Sequence, residues 1–306
     1  MESWRHHARV FWAFSLLPTL WLVAFFLVPL ALVWLLSFGE KRGIVDIAIT
    51  GTLGNYRRAL EPLYLWIFVK SFWFAALTTL ICLMAAFPLA MVITFAPQRW
   101  KAWLLLLVIL PFWTNLLIRT YALIAVLRTK GYLNAVLEHL WSGASGLLQF
   151  VGVDATGLLG ARFQPFELLY NNFAVVFGLV YVHLPFMVLP LYATLDRLDK
   201  TYLEASIDLG ASQWHTFWYV VVPLALPGIV SGMVITFIPA LGSFLTPTLL
   251  GGPDSQLIGT VIERQFKSAN DWPFGAALSF LLMYIMFFTL ALRVLLGRRG
   301  AASEVH

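Results

Sequence analysis

The stretch YLEASIDLGASQWHTFWYVVVPLALPG, from Tyr202 to Gly228, joins two unlike halves. The first carries Glu204 and Asp208 and stops at Gly210; the second is aromatic and aliphatic, with Pro223 and Pro227 inside it. Leu203 and Ile207 are four apart and share a helix face. Thr201 and Glu204 fit a capping box, in which the hydroxyl accepts from the N–H three residues on and the carboxylate reaches back. Gly210 stands where a helix C-terminal cap belongs. Ser212 then caps a second helix that enters the apolar block. The spacing therefore predicts a short helix over Thr201–Leu209, a glycine knuckle, and a helix running on to Pro223. From Thr201 to Gly210 there are two acids and no base. A helix lying on anionic lipid carries Lys and Arg on its polar face, so this knuckle suits a protein partner better than a lipid surface.

Around it the chain is greasy. Of 306 residues, 60% are hydrophobic and 11% are charged, where a soluble domain has about 25% charged. That much apolar surface does not hide in a water-soluble core, so the reading is an all-α integral membrane protein. Runs free of Asp, Glu, Lys and Arg predict six transmembrane helices, at about 10–37, 71–96, 102–127, 170–195, 217–241 and 273–295. Together they make one transmembrane domain over 1–306. The run Leu209–Pro253 is too long for one helix and contains Pro223, Pro227, Pro239 and Pro247. A broken or re-entrant segment is expected after Leu241. The N-terminus MESWRHHARVFWAF begins like a signal peptide, but the uncharged run lasts to Gly39 and no small-residue cleavage site follows. It is read as a retained first span. Long connections at 40–70, 128–167 and 253–271 fall on one side. The short ones fall on the other, with both termini. Lys and Arg are denser on the side of the termini, which the positive-inside rule makes cytoplasmic.

Several function classes drop out. The +5 net charge is scattered and no basic run suggests nucleic acid. The six histidines are not at metal-ligand spacing, and HExxH, a nucleophile elbow and the GxxxxGK[ST] phosphate loop are all absent. No catalytic residue and no metal site is expected. Cys82, the only cysteine, reads as a packed side chain, and His183 as a packed, hydrogen-bonded one. A channel, an ion-coupled secondary transporter and the membrane subunit of an ATP-driven transporter remain. Spans without acids weigh against proton coupling. If the machine is ATP-driven, its ATPase is another polypeptide.

Glu204-Ala205-Ser206, Gly210 and Val220-Val221-Val222-Pro223 resemble the motif of the membrane subunits of bacterial binding-protein-dependent ABC importers: E-A-A, three residues, Gly, nine residues, I-x-L-P. The spacing is intact. Ser206 replaces the second Ala, and Val220 and Val222 replace Ile and Leu. The resemblance implies the type I ABC importer permease fold, six transmembrane helices, and a cytoplasmic coupling helix within 199–216 that docks into the ATPase. It implies that Glu204, Ala205 and Gly210 carry the contact; Ser206, Asp208, Ala211 and Pro223 complete the expected coupling residues. Further stretches, LPFWTNLLIRTYALIAVLRTKGYLN (Leu110–Asn134), LPFMVLPLY (Leu184–Tyr192), LGGPDSQLIG (Leu250–Gly259) and NDWPFGAA (Asn270–Ala277), look like the spermidine/putrescine importer permeases. That likeness implies a non-catalytic subunit of the bacterial inner membrane. Its implied partners are a second, homologous permease, two ATPase subunits that hold the ATP and Mg, and a periplasmic polyamine-binding protein, with no cofactor on this chain.

A flexible polycation needs acids, carbonyls or aromatic faces. The expected path is Trp113, Tyr121, Tyr181 and Phe244, with a rim of Asp254, Glu263, Asp271 and Trp272. The competing reading keeps the aromatics as ordinary interface residues and pairs the rim acids with Arg264 or Lys267. Arg119 is awkward for a cation path and is expected to reach the interface or to pair with an acid of the third loop. The connections 40–70 and 128–167 are expected to dock the binding protein. Two alternatives stay open: another small organic solute on the same scaffold, or a stand-alone secondary transporter or channel.

Overall fold

The computed structural model describes residues 8–43, 46–150 and 163–303, with side chains described at 14–43, 46–146 and 163–288. Helix dominates, as the apolar runs require of a chain that satisfies its backbone polar groups within a bilayer. Among the described residues four helices are long and apolar enough to cross a membrane, Phe14–Leu36, Pro62–Phe95, Asn172–Leu195 and Gln213–Leu241, and the bent pair Gln98–Trp113 with Leu116–Gly146 makes a fifth if it is one span. A shorter apolar stretch, Trp272–Phe288, opens the last helix, Trp272–Ser303.

The second span begins at Pro62, well before the expected 71, and so contains Lys70. Proline is favoured at a helix start, where its missing N–H is not needed. The Lys70 ammonium donates to the backbone carbonyl of Asp254, which gives the charge a partner.

The expected helix over 102–127 is broken. Gln98–Ile109 tightens into a 3-10 turn, Leu110–Trp113, and a new helix starts at Leu116 after a bend of 96°. Pro111 supplies no N–H to the ladder. Thr114 and Asn115 are then extended, and Asn115 Oδ1 accepts from Leu117 N at 2.8 Å, capping the new helix. A polar Thr-Asn pair carries no charge and so leaves an uncharged run unbroken.

The three long connections are not plain loops. The first holds an antiparallel hairpin, Gly39–Lys41 with Ile47–Ile49, and a helix, Gly54–Ala59. The second holds the helix Tyr132–Phe150 and the third the amphipathic helix Ile258–Lys267. The Gly- and Ser-rich centre of the second connection, WSGASGLLQFVGVDATGLLGARF, lies partly outside the described residues. The broken segment expected after Leu241 is present as the short helix Leu245–Leu250, with Thr246 and Pro247 buried.

The described residues form two compact units, one up to Trp66 and from Val261 onward, the other Ile67–Thr260. In the first, the last helix packs on the first span and on Gly54–Ala59. Trp34 Nε1 donates to Tyr284 Oη at 2.7 Å, and Arg58 lies 4.0 Å from the Phe274 ring centroid. In the second, the 172–195 and 213–241 spans make the tightest pair. Their core of Met187, Val188, Leu191, Val221 and Ala225 continues into Cys82, Ala86 and Ala90 of the second span. Cys82 is fully buried, its thiol pointing at the Val180 carbonyl.

Candidate coupling knuckle and solute path

The helix Thr201–Asp208 starts one step earlier than a capping box allows. Lys200 already has helical φ and ψ and makes no side-chain cap. Thr201 is therefore inside the first turn, and the predicted Thr201–Glu204 box does not form. Its place is taken by Asp199, whose Oδ1 accepts from Thr201 N at 3.0 Å, the two-residue reach of an Asx turn. The Thr201 backbone N–H, and after it the Thr201 hydroxyl, hold the Asp199 carboxyl below the usual carboxylate range. Glu204 is left exposed.

The far end is a Schellman motif. Gly210 N donates to Ile207 O at 2.8 Å and Ala211 N to Ser206 O at 3.1 Å, with Gly210 at φ +86°. Ser212 Oγ then accepts from His215 N at 3.3 Å and starts the Gln213–Leu241 span. The glycine cap and the serine cap are both where the sequence places them.

Leu203 and Ile207 do not share a buried face. Leu203 packs on the core with Phe217 and Val222, whereas Ile207 is exposed. The inner edge is Leu203 and Ser206, because Ser206 Oγ lies 2.9 Å from Thr216 Oγ1 across the knuckle. Ala205, Asp208 and Leu209 face out with Glu204, and Leu209 is 88% exposed. Ala211 is half-buried. Pro223 follows a π-helical turn, Phe217–Val221, whose wider winding accommodates a ring that clashes with the carbonyl one turn back. An ion pair that the sequence did not signal, Lys101 Nζ to Asp196 Oδ1 at 2.6 Å, ties the start of the bent segment to the chain entering the knuckle.

The expected path residues fall in both units, Trp113, Tyr121, Tyr181, Phe244 and Asp254 in one and Glu263, Asp271 and Trp272 in the other. Trp113, in the 3-10 turn, and Tyr121 are exposed, and Tyr181 is at the edge of exposure. Among the described residues no ring contact joins these three to another aromatic. Phe244 is partly exposed just before Leu245–Leu250. Asp254 lies in the 3-10 turn Pro253–Ser255, and its carbonyl, not its carboxylate, meets Lys70. In the other unit Glu263 pairs with Lys267 at 3.0 Å and Asp271 with Arg58 at 2.9 Å. Trp272 Nε1 donates to Asn270 Oδ1 at 2.9 Å.

A separate cluster forms around the Leu-Pro-Phe segments. Phe112 and Phe186, from the two copies of Leu-Pro-Phe, meet edge to face at 4.8 Å, and His183 lies 6.0 Å from Phe186. The Arg119 guanidinium stands 5.5 Å from the Phe112 ring centroid. Its Nε is buried without an acceptor, and it makes no ion pair among the described residues. Of the two expectations for Arg119, the pairing with an acid of the third loop is not found among the described residues, where its guanidinium faces the Phe112 ring. The recurrence of LPF at Leu110–Phe112 and Leu184–Phe186, which sequence alone does not distinguish from chance, is the one sequence feature that points to this cluster. His183 is buried, with Nδ1 2.8 Å from Leu179 O. No group of three His, Cys, Asp or Glu side chains comes together among the described residues.

Over residues 8–300 the sequence matches the family described as binding-protein-dependent transport system inner membrane component. The chain belongs to that family. It is 41% identical over 266 residues to the spermidine/putrescine transport system permease protein PotB of Escherichia coli K12, covering 87% of this chain and 90% of that one. The PotB of Haemophilus influenzae is 38% identical over 266 residues, covering 87% and 86%. The E. coli inner membrane ABC transporter permease protein YdcU is 32% identical over 283 residues, covering 92% and 87%. Among solved structures, a chain of a bacterial ABC transporter involved in import of the acidic polysaccharide alginate superposes with TM-score 0.69 at 15% identity, covering 98% of this chain and 99% of that one. This permease is thus a multi-pass inner-membrane protein with the type I importer fold, a component of a binding-protein-dependent transport system. At that identity the alginate importer speaks for the fold alone.

Proposed function

We propose that this permease carries polyamines, spermidine or putrescine, from a periplasmic polyamine-binding protein across the inner membrane, driven by a separate ATPase. The observation that supports it best is the identity to the PotB permeases over nearly nine-tenths of the chain. The exposed acidic face of the knuckle is the ATPase contact, presented by Glu204, Ala205 and Asp208. Two ATPase copies, which hold the ATP and Mg, and a second, homologous permease complete the assembly. This chain binds no cofactor and catalyses nothing, and both of its termini are cytoplasmic. The path holds the solute weakly, on aromatic faces and carbonyls, because affinity belongs to the binding protein. Glu263 and Asp271, already engaged by Lys267 and Arg58, serve the rim as paired acids rather than as bare ligands.

The test is reconstitution of the permeases with the ATPase and binding protein. Spermidine or putrescine should stimulate ATP hydrolysis and be accumulated in proteoliposomes. Stimulation by an anion or an amino acid alone would remove the polyamine assignment. Transport by this chain without ATP or partners would make it a stand-alone carrier.

A further inference from the structure

We propose that Ser206 and Thr216 bolt the glycine knuckle into a rigid lever, so that Ser206 is a positioning residue for coupling and not a contact to the motor. The proposal rests on the reading of Thr201–Asp208 as the ATPase-facing helix.

The geometry is local. The two hydroxyls are 2.9 Å apart and ten residues apart in sequence, one on the short helix and the other at the start of the span. Thr216 is 5% exposed and Ser206 is half-buried. A helical threonine ordinarily turns its hydroxyl back to the carbonyl one turn earlier. Here it crosses the knuckle instead. Ser206 is held twice, since its carbonyl also receives the Ala211 N–H at 3.1 Å.

Gly210 explains why a bolt is needed. Its backbone is left-handed, and a Cβ built there would meet nothing within 4 Å. Glycine in open space is a swivel. Helices joined only by Leu209–Ser212 would flex there, and a push on the outer face would be spent in bending. The Ser206–Thr216 bond closes that hinge into a ring, while Leu203 anchors the same edge to the span core. The position is one where the family motif has alanine. A small side chain suffices for close approach there, and only the hydroxyl makes the bond.

The decisive experiment compares Ser206→Ala, Thr216→Val, the double variant and Ser206→Thr in the full reconstituted transporter. The readout is ATP hydrolysed per solute imported, with ATPase co-purification as the assembly check. One hydrogen bond shifts an equilibrium about two- to ten-fold. The expected result is a rise of that order in ATP per solute for either single variant and no further rise in the double. Ser206→Thr should restore the wild-type ratio, and the ATPase should stay bound. An unchanged ratio in both single variants, additive defects, or a defect that tracks loss of the ATPase would each overturn the bolt. Gly210→Pro is run alongside. If it uncouples and Ser206→Ala does not, the bolt alone falls. If it too imports at the wild-type ratio, the coupling reading falls with it.

Discussion

At the scale of residues, Gly210 and Asp199 set the shape of the knuckle by different physics. Gly210 has φ +86° and open space around it, so a side chain is resisted by backbone conformation alone. Gly210→Ala should cost about 1 kcal/mol, seen as faster amide exchange at positions 210 and 211 with the span itself unaffected. A change that spread through the span would mean the glycine does more than end a helix. Asp199 acts through charge. Its carboxyl titrates lower in the folded chain, because the ionised form accepts from Thr201. The stabilisation is therefore full above the ordinary carboxylate range and is lost as pH falls through and below it. Protection of the Thr201 amide should decline with acid in the wild type. Asp199→Asn keeps an acceptor and should flatten that pH response, whereas Asp199→Ala should abolish protection at every pH. A wild-type amide insensitive to acid would show that the carboxylate is not its partner.

At the scale of elements, close helix contact depends on positions without side chains. A Cβ at Gly228 would lie 2.5 Å from Thr194 Oγ1 and 3.0 Å from the Pro190 carbonyl, and one at Gly232 2.7 Å from Met187 Sδ. Small residues at such crossings let membrane helices approach. Gly228→Ala should destabilise by about 1–3 kcal/mol through overpacking, visible as a lower unfolding temperature in detergent. Gly143→Ala, in a helix with nothing within 4 Å of the added carbon, should be neutral or slightly stabilising. Equal effects at the two sites would rule out overpacking as the cause. These crossings also mark the limit of what the sequence discloses. Uncharged runs locate long spans, since burying charge in lipid is costly whatever the partner. Gly210 and Ser212 were legible because caps are local chemistry. The break at Thr114–Asn115 was not, because a polar pair carries no charge. The Ser206–Thr216 and Lys101–Asp196 contacts join separate segments, which no periodicity within one segment reveals. The Phe112–Phe186 pair was half legible: the repeated LPF is visible, but its meeting needs the 96° bend that brings Phe112 onto the fourth span.

At the scale of the whole molecule, the bent segment decides the topology. If Gln98–Trp113 and Leu116–Gly146 make one broken span, the chain crosses between Lys101 and Tyr132. If the bend is a hairpin, it returns to the side it left. The Leu-Pro-Phe cluster favours a crossing, because Phe112 meets Phe186 near the middle of Asn172–Leu195 rather than at its ends. Cys82 makes the test clean, since the only native cysteine is fully buried and stays silent to an impermeant maleimide. Tyr132→Cys and Leu209→Cys place thiols at sites 72% and 88% exposed. With cytoplasmic termini and a crossing at the bend, intact spheroplasts should label position 132 and not 209, and inside-out vesicles should do the reverse. A re-entrant bent pair would leave position 132 cytoplasmic and let the span Asn172–Leu195 carry position 209 outward, reversing the pattern. Labelling of 209 from outside, whether through a re-entrant bend or an inverted permease, would turn the knuckle away from any cytoplasmic ATPase and so remove the coupling reading at its root.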